Sequence, residues 1–339
     1  MGRIVAVLAG MDHVPGTTIN RYCSSSLQST RMAMHAIRAG EGEVFISAGV
    51  ETVSRYTKGY ADGLPDTRNP ALADAQARTA ELAAGGRTWV DRRESGDLPD
   101  AYIAMGQTAE NVAQLRGVTR ADQDEFGVRS QNLAEKALAN GFWERDITPV
   151  TLPDGTVVSK DDGPRAGVTM EKVAQLQPVF RPDGTVTAGN CCPLNDGAAA
   201  VVVMSDTKAE RLGLVPLATI VSTGVAGLSP EVMGLGPVEA SRQALARAGM
   251  TIDDIDLVEI NEAFAAQVIP SARDLGVDFD RLNVNGGAIA IGHPFGMTGA
   301  RITSTTLINS LQFHDKQFGL ETMCVGGGQG MAMVLERMS

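Results

Sequence analysis

The chain has 339 residues and a mass of 35.6 kDa, a length that favours two or three structural units over one core. Its 29 basic and 40 acidic residues give a net charge of −11, which argues against nucleic-acid binding because such proteins must neutralise phosphates. No apolar run approaches the ~18–20 residues that span a bilayer. Four cysteines, two of them adjacent, form no disulfide framework and favour a reducing compartment. We therefore expect a cytoplasmic protein without nucleic-acid or membrane partners.

Short apolar runs alternate along the chain with Ala-rich helical stretches, which indicates an α/β fold. The predicted buried strands are 44–48, 200–204, Leu257–Ile260 and 331–335. The predicted helices are 26–38, Arg120–Ala139 and 238–248. Thr119, followed three residues later by Asp122, predicts the start of the second of these helices. Between 60 and 100 the sequence is rich in Asp, Arg, Pro and Gly without a sustained period. This stretch reads as a long excursion of loops and short helices, either a functional lid or binding element or a surface decoration.

Cys23 is the first candidate for reaction chemistry. It lies in the segment 20–29, where small hydroxyl residues precede Ala and Met at helical spacing. This pattern predicts a helix N-terminus at the thiol, where unpaired amides and the helix dipole favour the thiolate and lower its pKa from about 8.5. A buried, inert cysteine is the commoner interpretation of such a residue taken alone.

His293 is the one histidine of four that lies in a Gly-rich turn. Pro294 follows it and suits the first turn of a helix. Glycines at 286, 287 and 292 permit close approach of the backbone. Taken alone, such a histidine is more often structural than catalytic, so the interpretation depends on its partners.

Cys324 precedes three consecutive glycines, 326–328. Their spacing fails as a dinucleotide-binding fingerprint, but their exposed backbone amides suit an oxyanion. Asn261 follows the predicted strand Leu257–Ile260, and sites in α/β sheets gather at strand C-terminal ends. The cysteines and histidine lack metal-ligand spacing, and no Walker or G-x-S-x-G sequence occurs. We therefore expect no metal.

Five separated segments resemble, in their order, the motifs of the thiolases, the acyl-CoA C-acyltransferases. The segments are 20–29, 189–200, 261–264, 292–294 and 324–330. The resemblance covers the whole chain and implies a duplicated five-layered α/β/α/β/α fold with an inserted loop domain. It places an N-terminal half at 1–53 and 188–210, the loop domain at 54–187 and a C-terminal half at 211–339. Acyl-CoA and coenzyme A would be substrates, so no further cofactor is expected.

The resemblance also implies roles for individual residues. Cys23 matches the nucleophile that becomes acylated, and Cys324 matches the acid/base that exchanges a proton with the reacting carbon. His293 matches the residue that activates the nucleophile and polarises the thioester oxygen, with a water held by Asn261. The backbone amides of Cys23 and Gly326 match a second oxyanion hole. These roles suit Claisen chemistry, because a covalent acyl-enzyme divides one barrier into two and developing negative charge needs preorganised donors.

Substrate contacts follow from the same resemblance. Met105, Cys192 and Met233 match positions that line the substrate, although either methionine suits a core equally well. Arg165 and Lys172 are candidate partners for the phosphates of coenzyme A.

Three positions depart from the family pattern. Ser26 stands where the nucleophile turn usually has Gly, so it must avoid positive φ or tolerate strain. Cys192 stands where a Ser commonly touches the pantetheine arm, and Ala104 replaces the His of a His-Met pair. These changes indicate a different acyl pocket and leave the acyl chain length open.

The first half is shorter than the second. Only 22 residues precede Cys23, whereas roughly 80 lie between residue 211 and His293. In the family, the difference of about 60 residues supplies an opening strand, a helix and a second strand. We expect its absence to expose sheet edges and core surface, and therefore either low stability or compensation by a partner subunit. The resemblance further implies a homodimer or homotetramer.

The leading hypothesis is reversible thiolytic cleavage of a 3-oxoacyl-CoA by coenzyme A, or the reverse Claisen condensation. A decarboxylating ketosynthase-type enzyme usually carries a His in place of the second cysteine, so Cys324 counts against that alternative. A non-enzymatic acyl-CoA or lipid carrier on the same scaffold stays open. The sequence leaves the direction of the reaction open.

Overall fold

The computed structural model describes residues 1–56 and 67–338, apart from the side chains at 304 and 305. The helices are α1 (Gly2–Leu8), α2 (Ser25–Arg38), α3 (Ala73–Ala83), α4 (Met105–Arg116), α5 (Arg120–Ala139), α6 (Met170–Val173), α7 (Asp206–Leu212), α8 (Gly236–Ala248), α9 (Ala265–Leu275), α10 (Ala288–Ile291), α11 (Phe295–Arg301) and α12 (Asn309–Phe313). The strands are β1 (Val44–Glu51), β2 (Val150–Thr151), β3 (Val157–Val158), β4 (Gly197–Met204), β5 (Ala218–Gly227), β6 (Leu257–Ile260), β7 (Phe318–Val325) and β8 (Gln329–Arg337).

The main core surrounds a four-stranded mixed sheet in the order β5-β8-β7-β6. The pairs β5–β8 and β8–β7 are antiparallel, and β7–β6 is parallel. Strands β6 and β7 are buried along nearly their whole length, and α8 packs on the sheet. This burial suits their mainly apolar sequences, in which Glu259 and Glu321 are the charged exceptions. The strand prediction at Leu257–Ile260 is confirmed, and the one at 331–335 lies within the longer β8.

A second sheet contains only the antiparallel pair β1–β4 in the described residues, with eight residues in each strand. The strands predicted at 44–48 and 200–204 exist, but the prediction that they are buried is wrong. Ile46 and Val202 face each other across the pair and are 55% and 60% exposed. Helices α2 and α11 contact this sheet, but neither strand has a further strand beside it within the described chain. The expected exposed sheet edges are therefore present.

The predicted helices are confirmed with small changes of boundary. Helix α5 begins with the predicted capping box, in which Thr119 and Asp122 bond each other's backbone N–H groups at 3.0 and 3.1 Å. Helix α8 begins two residues before the predicted 238. In the predicted excursion at 60–100, residues up to 66 lie outside the described residues, and the rest contains α3 with loops and short 3₁₀ turns.

No helix within residues 1–56 and 67–338 is long and apolar enough to cross a membrane.

Candidate active site

Cys23 lies in a 3₁₀ turn, Tyr22–Ser24, that leads directly into α2. The predicted position at a helix N-terminus is therefore confirmed. Tyr22 has a φ of 46°, in the left-handed region that a bulky residue rarely adopts. Hydrogen bonds from Arg21 N to Ser25 Oγ at 2.9 Å and from Tyr22 N to Asn20 Oδ1 at 2.8 Å hold this turn. Cys23 itself is buried.

The predicted lowering of the Cys23 pKa is wrong for this structure. Burial raises the pKa of the thiol to about 12, and the negative charge of Glu51 raises it further. The backbone N–H of Gly326 hydrogen-bonds the sulfur and lowers the pKa, but less than burial raises it. Desolvation thus outweighs the helix N-terminus, and Cys23 rests as a neutral thiol.

Cys324 and Cys192 lie beside Cys23. Cys324 is fully buried near the end of β7, and burial followed by the neighbouring Cys23 raises its pKa. Burial is also the largest cause of the raised pKa of Cys192, with smaller effects from Cys191, Cys23 and Cys324. The structure therefore brings three thiols together, of which Cys192 stands at a predicted substrate position.

The turn that contains Cys192 is hydrogen-bonded to the loop that contains Asn261. Cys192 N donates to Ala263 O at 3.1 Å, and Cys191 forms an isolated antiparallel bridge with Phe264. These backbone contacts fix the position of the third thiol relative to the end of β6. Pro193 lacks an N–H, and the adjacent Cys192 N–H makes the connection instead.

Asn261 and His293 are in contact and both are buried. The Nδ2 atom of Asn261 lies 3.3 Å from each ring nitrogen of His293. Burial, followed by the positive charge of Arg301, lowers the pKa of His293 to about 3. The imidazole is therefore neutral near pH 7. The buried Oδ1 of Asn261 has no hydrogen-bond partner within the described chain, so it is available to accept a hydrogen bond from a water.

Helices α2 and α11, which follow Cys23 and His293 in the chain, pack against each other. Ser26 is buried and helical, and its Oγ accepts a hydrogen bond from Ala300 N at 2.8 Å. The strain considered for Ser26 is therefore avoided, and the positive φ falls on Tyr22 instead. A Cβ at Gly299 would lie 2.3 Å from Leu27 N. The glycine thus allows the helix that follows His293 to approach the helix that follows Cys23.

The other predicted substrate residues lie in different settings. Met105 begins α4 and packs against the main core, whereas Met233 is fully buried within it. Arg165 and Lys172 are exposed. Lys172 Nζ donates to Gly167 O at 2.9 Å, and Arg165 N donates to Gln131 Oε1 at 3.0 Å. Their contacts with coenzyme A stay predictions.

Sequence reasoning assigned no role to several residues that support the site. Glu262 accepts from Ser130 Oγ at 2.6 Å, from Asn283 Nδ2 at 2.8 Å and from Ile289 N at 3.1 Å. The position of Glu262 directly after Asn261 in the sequence was the signal that could have identified it as a supporting residue. Thr298 lies 2.6 Å from His293 Nδ1 through its Oγ1, and a single Thr in a helical sequence carries no such signal.

Metal binding finds no support among the described residues, where no group of three or more His, Cys, Asp or Glu side chains is placed to hold an ion. All four cysteines are free thiols. The chemistry available at this site is therefore that of two buried thiols, a neutral imidazole, an amide and a Gly-rich loop.

Comparison with known families gives a match along nearly the whole chain. The thiolase N-terminal domain matches residues 1–207, and the thiolase C-terminal domain matches residues 214–337. The chain belongs to the thiolase family.

Individual thiolases agree with this assignment. The chain is 45% identical to an acetyl-CoA acetyltransferase of Cupriavidus necator and 43% identical to a 3-ketoacyl-CoA thiolase of Bacillus subtilis. Each match covers 99% of this chain and 83% of the relative. The dimeric peroxisomal thiolase of Saccharomyces cerevisiae superposes with a TM-score of 0.87 at 34% identity, covering 99% of this chain and 80% of that one. The predicted family is therefore confirmed.

Proposed function

We propose that this thiolase-family chain catalyses acyl transfer between a 3-oxoacyl-CoA and coenzyme A through an acyl-Cys23 intermediate. The observation that carries the proposal is the convergence of two buried thiols, Cys23 and Cys324, with the N–H of Gly326 on the first sulfur. A carrier protein needs one binding surface but has no use for two adjacent thiols of this kind. The chemistry of carbon–carbon cleavage needs both a nucleophile and a separate acid.

The acylation half-reaction begins when the Cys23 proton passes to His293. The sulfur attacks the 3-oxo carbon, and the bond between C2 and C3 breaks. The electron pair moves onto the thioester as an enolate. The protonated ring of His293 and a water held by Asn261 stabilise this enolate at the thioester oxygen. Cys324 then donates its proton to C2, and acetyl-CoA leaves.

The second half-reaction restores the enzyme. The Cys324 thiolate takes the proton of the incoming coenzyme A, whose sulfur attacks the acyl carbon on Cys23. The N–H groups of Cys23 and Gly326 stabilise the oxyanion that forms. Cys23 leaves and recovers its proton from His293, so that no proton is gained or lost. Because the Cys23 thiol and the His293 imidazole both start neutral, the transfer of the proton and the attack by the Cys23 sulfur must be coupled.

The finer architecture belongs to the same proposal. The pair β1–β4 is the counterpart of β7–β8 in a duplicated five-layered fold, with 54–187 as the loop domain. Coenzyme A would lie along that domain, with Met105, Cys192 and Met233 towards the pantetheine and acyl chain and with Arg165 and Lys172 towards the phosphates. We expect a homo-oligomer, since a partner subunit would cover the exposed face of β1–β4. The cytoplasmic compartment inferred from the free cysteines also stays a proposal.

The test is thiolysis of acetoacetyl-CoA and of a longer 3-oxoacyl-CoA, followed by the loss of the 3-oxo absorbance. We expect turnover that depends on coenzyme A and disappears in Cys23→Ser. Cys191→Ser is the matched control, because Cys191 is a neighbouring thiol outside the proposed mechanism. Intact-mass detection of an acyl adduct on Cys23 separates an enzyme from a carrier. A folded protein that binds acyl-CoA without forming this adduct would contradict the proposal.

A further inference from the structure

The hydroxyl of Thr298 is the closest polar partner of the His293 ring among the described contacts. Its Oγ1 lies 2.6 Å from Nδ1, whereas the amide of Asn261 lies at 3.3 Å. Thr298 is fully buried, as is the ring. The residue lies in α11, one turn after the N-cap Pro294. Its short contact therefore connects the rigid helix to the reactive side chain.

The hydrogen-bond directions around Thr298 decide which nitrogen of the ring carries the proton. The Thr298 hydroxyl donates its single hydrogen to Pro294 O at 3.0 Å. Its oxygen can then only accept at the contact with the ring. A nitrogen that donates to this oxygen must carry a hydrogen, which places the ring proton on Nδ1.

The amide of Asn261 does not choose between the two ring nitrogens. Its Nδ2 is a donor and lies 3.3 Å from Nδ1 and from Nε2 alike. With the proton on Nδ1, the bare Nε2 can accept from this group. The tautomer that the Thr298 contact selects is therefore compatible with Asn261.

We propose that Thr298 is a positioning residue that holds His293 as the Nδ1–H tautomer and keeps Nε2 as the proton-accepting nitrogen. The inference rests on the proposed role of His293 as the base for Cys23. Tautomer control matters here because a neutral imidazole has only one bare nitrogen. If the proton moved to Nε2, the bare nitrogen would face the hydroxyl in α11 rather than the reacting groups.

Other features keep the turn in place without choosing the tautomer. His293 N donates to Asn195 Oδ1 at 3.0 Å, and Arg301 Nη2 donates to Gly292 O at 3.2 Å. These bonds fix the backbone on both sides of Gly292. Neither contacts the ring nitrogens, so their loss would displace the ring without selecting Nδ1 over Nε2. Thr298 is the group that acts on the ring itself.

The test determines the tautomer directly by ¹⁵N NMR on this protein labelled at histidine. His13, His35 and His314 are exposed, so replacing all three with Gln leaves His293 as the only histidine. Nε2 is the nitrogen that couples to both carbon-bound ring protons. We expect it to be bare in this background, with the proton on Nδ1. A proton on Nε2 would overturn the proposal.

Two substitutions extend the test to function. Thr298→Ser keeps the hydroxyl and should keep both the Nδ1–H tautomer and kcat. Thr298→Val keeps the shape but removes the acceptor, so it should shift the tautomer and lower kcat by on the order of 10²-fold, with KM little changed. Unchanged tautomer and kcat in a folded Thr298→Val protein would contradict the proposal.

The NMR result is independent of turnover. An Nδ1–H signal in a protein that forms no acyl-enzyme would support the role of Thr298 in fixing the ring and contradict the proposed function. If Thr298→Val does not fold, the parent spectrum and Thr298→Ser still decide the question.

Discussion

The backbone N–H of Gly326 donates a hydrogen bond to the sulfur of Cys23, so the loop after β7 contacts the turn before α2. This bond opposes the desolvation that raises the pKa of the thiol. In the proposed mechanism, the same N–H stabilises the oxyanion on the carbon bonded to Cys23 after acylation. One backbone group would then serve the nucleophile and its intermediate in turn.

Substituting Gly326 should therefore slow the acylation of Cys23 while leaving the protein folded. A Cβ at this position would lie 3.1 Å from Tyr22 Cγ, so Gly326→Ala must push apart the loop and the nucleophile turn. We expect acyl-enzyme formation from acetyl-CoA to slow by about tenfold, since loss of a whole oxyanion donor costs about 10²–10³-fold. Rapid quench with intact-mass detection measures this rate. Gly227→Ala is the control, because a Cβ there meets nothing closer than 4.0 Å. Equal rates in the two variants would argue against the contact.

Removing the second thiol should separate the two half-reactions. Cys324→Ala leaves Cys23 and Gly326 in place but removes the base for the coenzyme A thiol. Exchange of an acetyl group between acetyl-CoA and coenzyme A should therefore fall only modestly, because a thiol with a pKa of about 8.5 can also lose its proton to water. Cleavage of acetoacetyl-CoA should fall by about 10²–10⁴-fold, because the C2 carbon loses its proton donor. Comparing exchange with thiolysis in one preparation provides the measurement. An equal fall in both activities would mean that Cys324 serves only the thiol protons and not the C2 carbon.

The sequence could single out the candidate site residues because each lies in a short segment with a distinctive pattern, although only the order of the segments together, as a family resemblance, assigned them chemistry. Cys23 before a Ser-rich helix start and Cys324 before consecutive glycines were both visible from neighbours in the chain. The capping box at Thr119 was equally local. Contacts between distant segments were not visible, such as the hydroxyl of Ser26 on Ala300 N. These depend on how α2 and α11 pack, which no single segment encodes.

The errors in the predictions also have a physical basis. The pKa of Cys23 was predicted from its position at a helix N-terminus, a local property, whereas burial by the surrounding layers determines the result. The strands at 44–48 and 200–204 were predicted to be buried from their apolar composition. An apolar composition shows that a strand is suited to burial but not that a neighbour is present to bury it. The described chain supplies no further strand beside β1 or β4.

The buried Glu321 should make stability depend on pH. Burial raises its pKa to about 8, partly offset by the hydrogen bond from Thr303 Oγ1 at 2.7 Å. A raised folded-state pKa means that stabilisation is complete below the unfolded value near 4.5 and is lost as the pH rises through 8. Glu321→Gln mimics the protonated form, so it should be more stable than the parent by up to a few kcal/mol at pH 8–9 and similar at pH 5.

Urea unfolding at pH 5, 7 and 9 provides this measurement. Glu210→Gln is the matched control, because Glu210 is exposed on α7 and its substitution should give no such pH dependence. A gain in stability for Glu321→Gln that is the same at all three values would indicate repacking rather than titration.

The raised pKa of Cys23 predicts a distinctive alkylation profile. Because only the thiolate reacts, the rate with iodoacetamide should rise about tenfold for each pH unit from 7 to 9 when the pKa is about 12. A free thiol such as glutathione, run in parallel, should begin to level off near its own pKa of about 8.5. Peptide mapping after brief labelling isolates the Cys23 signal from the other three cysteines. A plateau for Cys23 below pH 8 would show that the thiolate forms in the resting enzyme.

The exposed pair Ile46 and Val202 should govern self-association. These side chains lie opposite each other on β1 and β4, and the open strand edges beside them can pair with another chain. Val202→Lys places a charge on this face without contacting the thiols, so it should weaken concentration-dependent association while thiolysis per folded protein stays within about twofold. Light scattering coupled to size exclusion measures the association, and Val215→Lys, at an exposed site outside the sheet, controls for added charge. If both variants associate like the parent, the β1–β4 face is not the contact surface. If Val202→Lys dissociates and also loses activity, a partner subunit completes the site across this sheet.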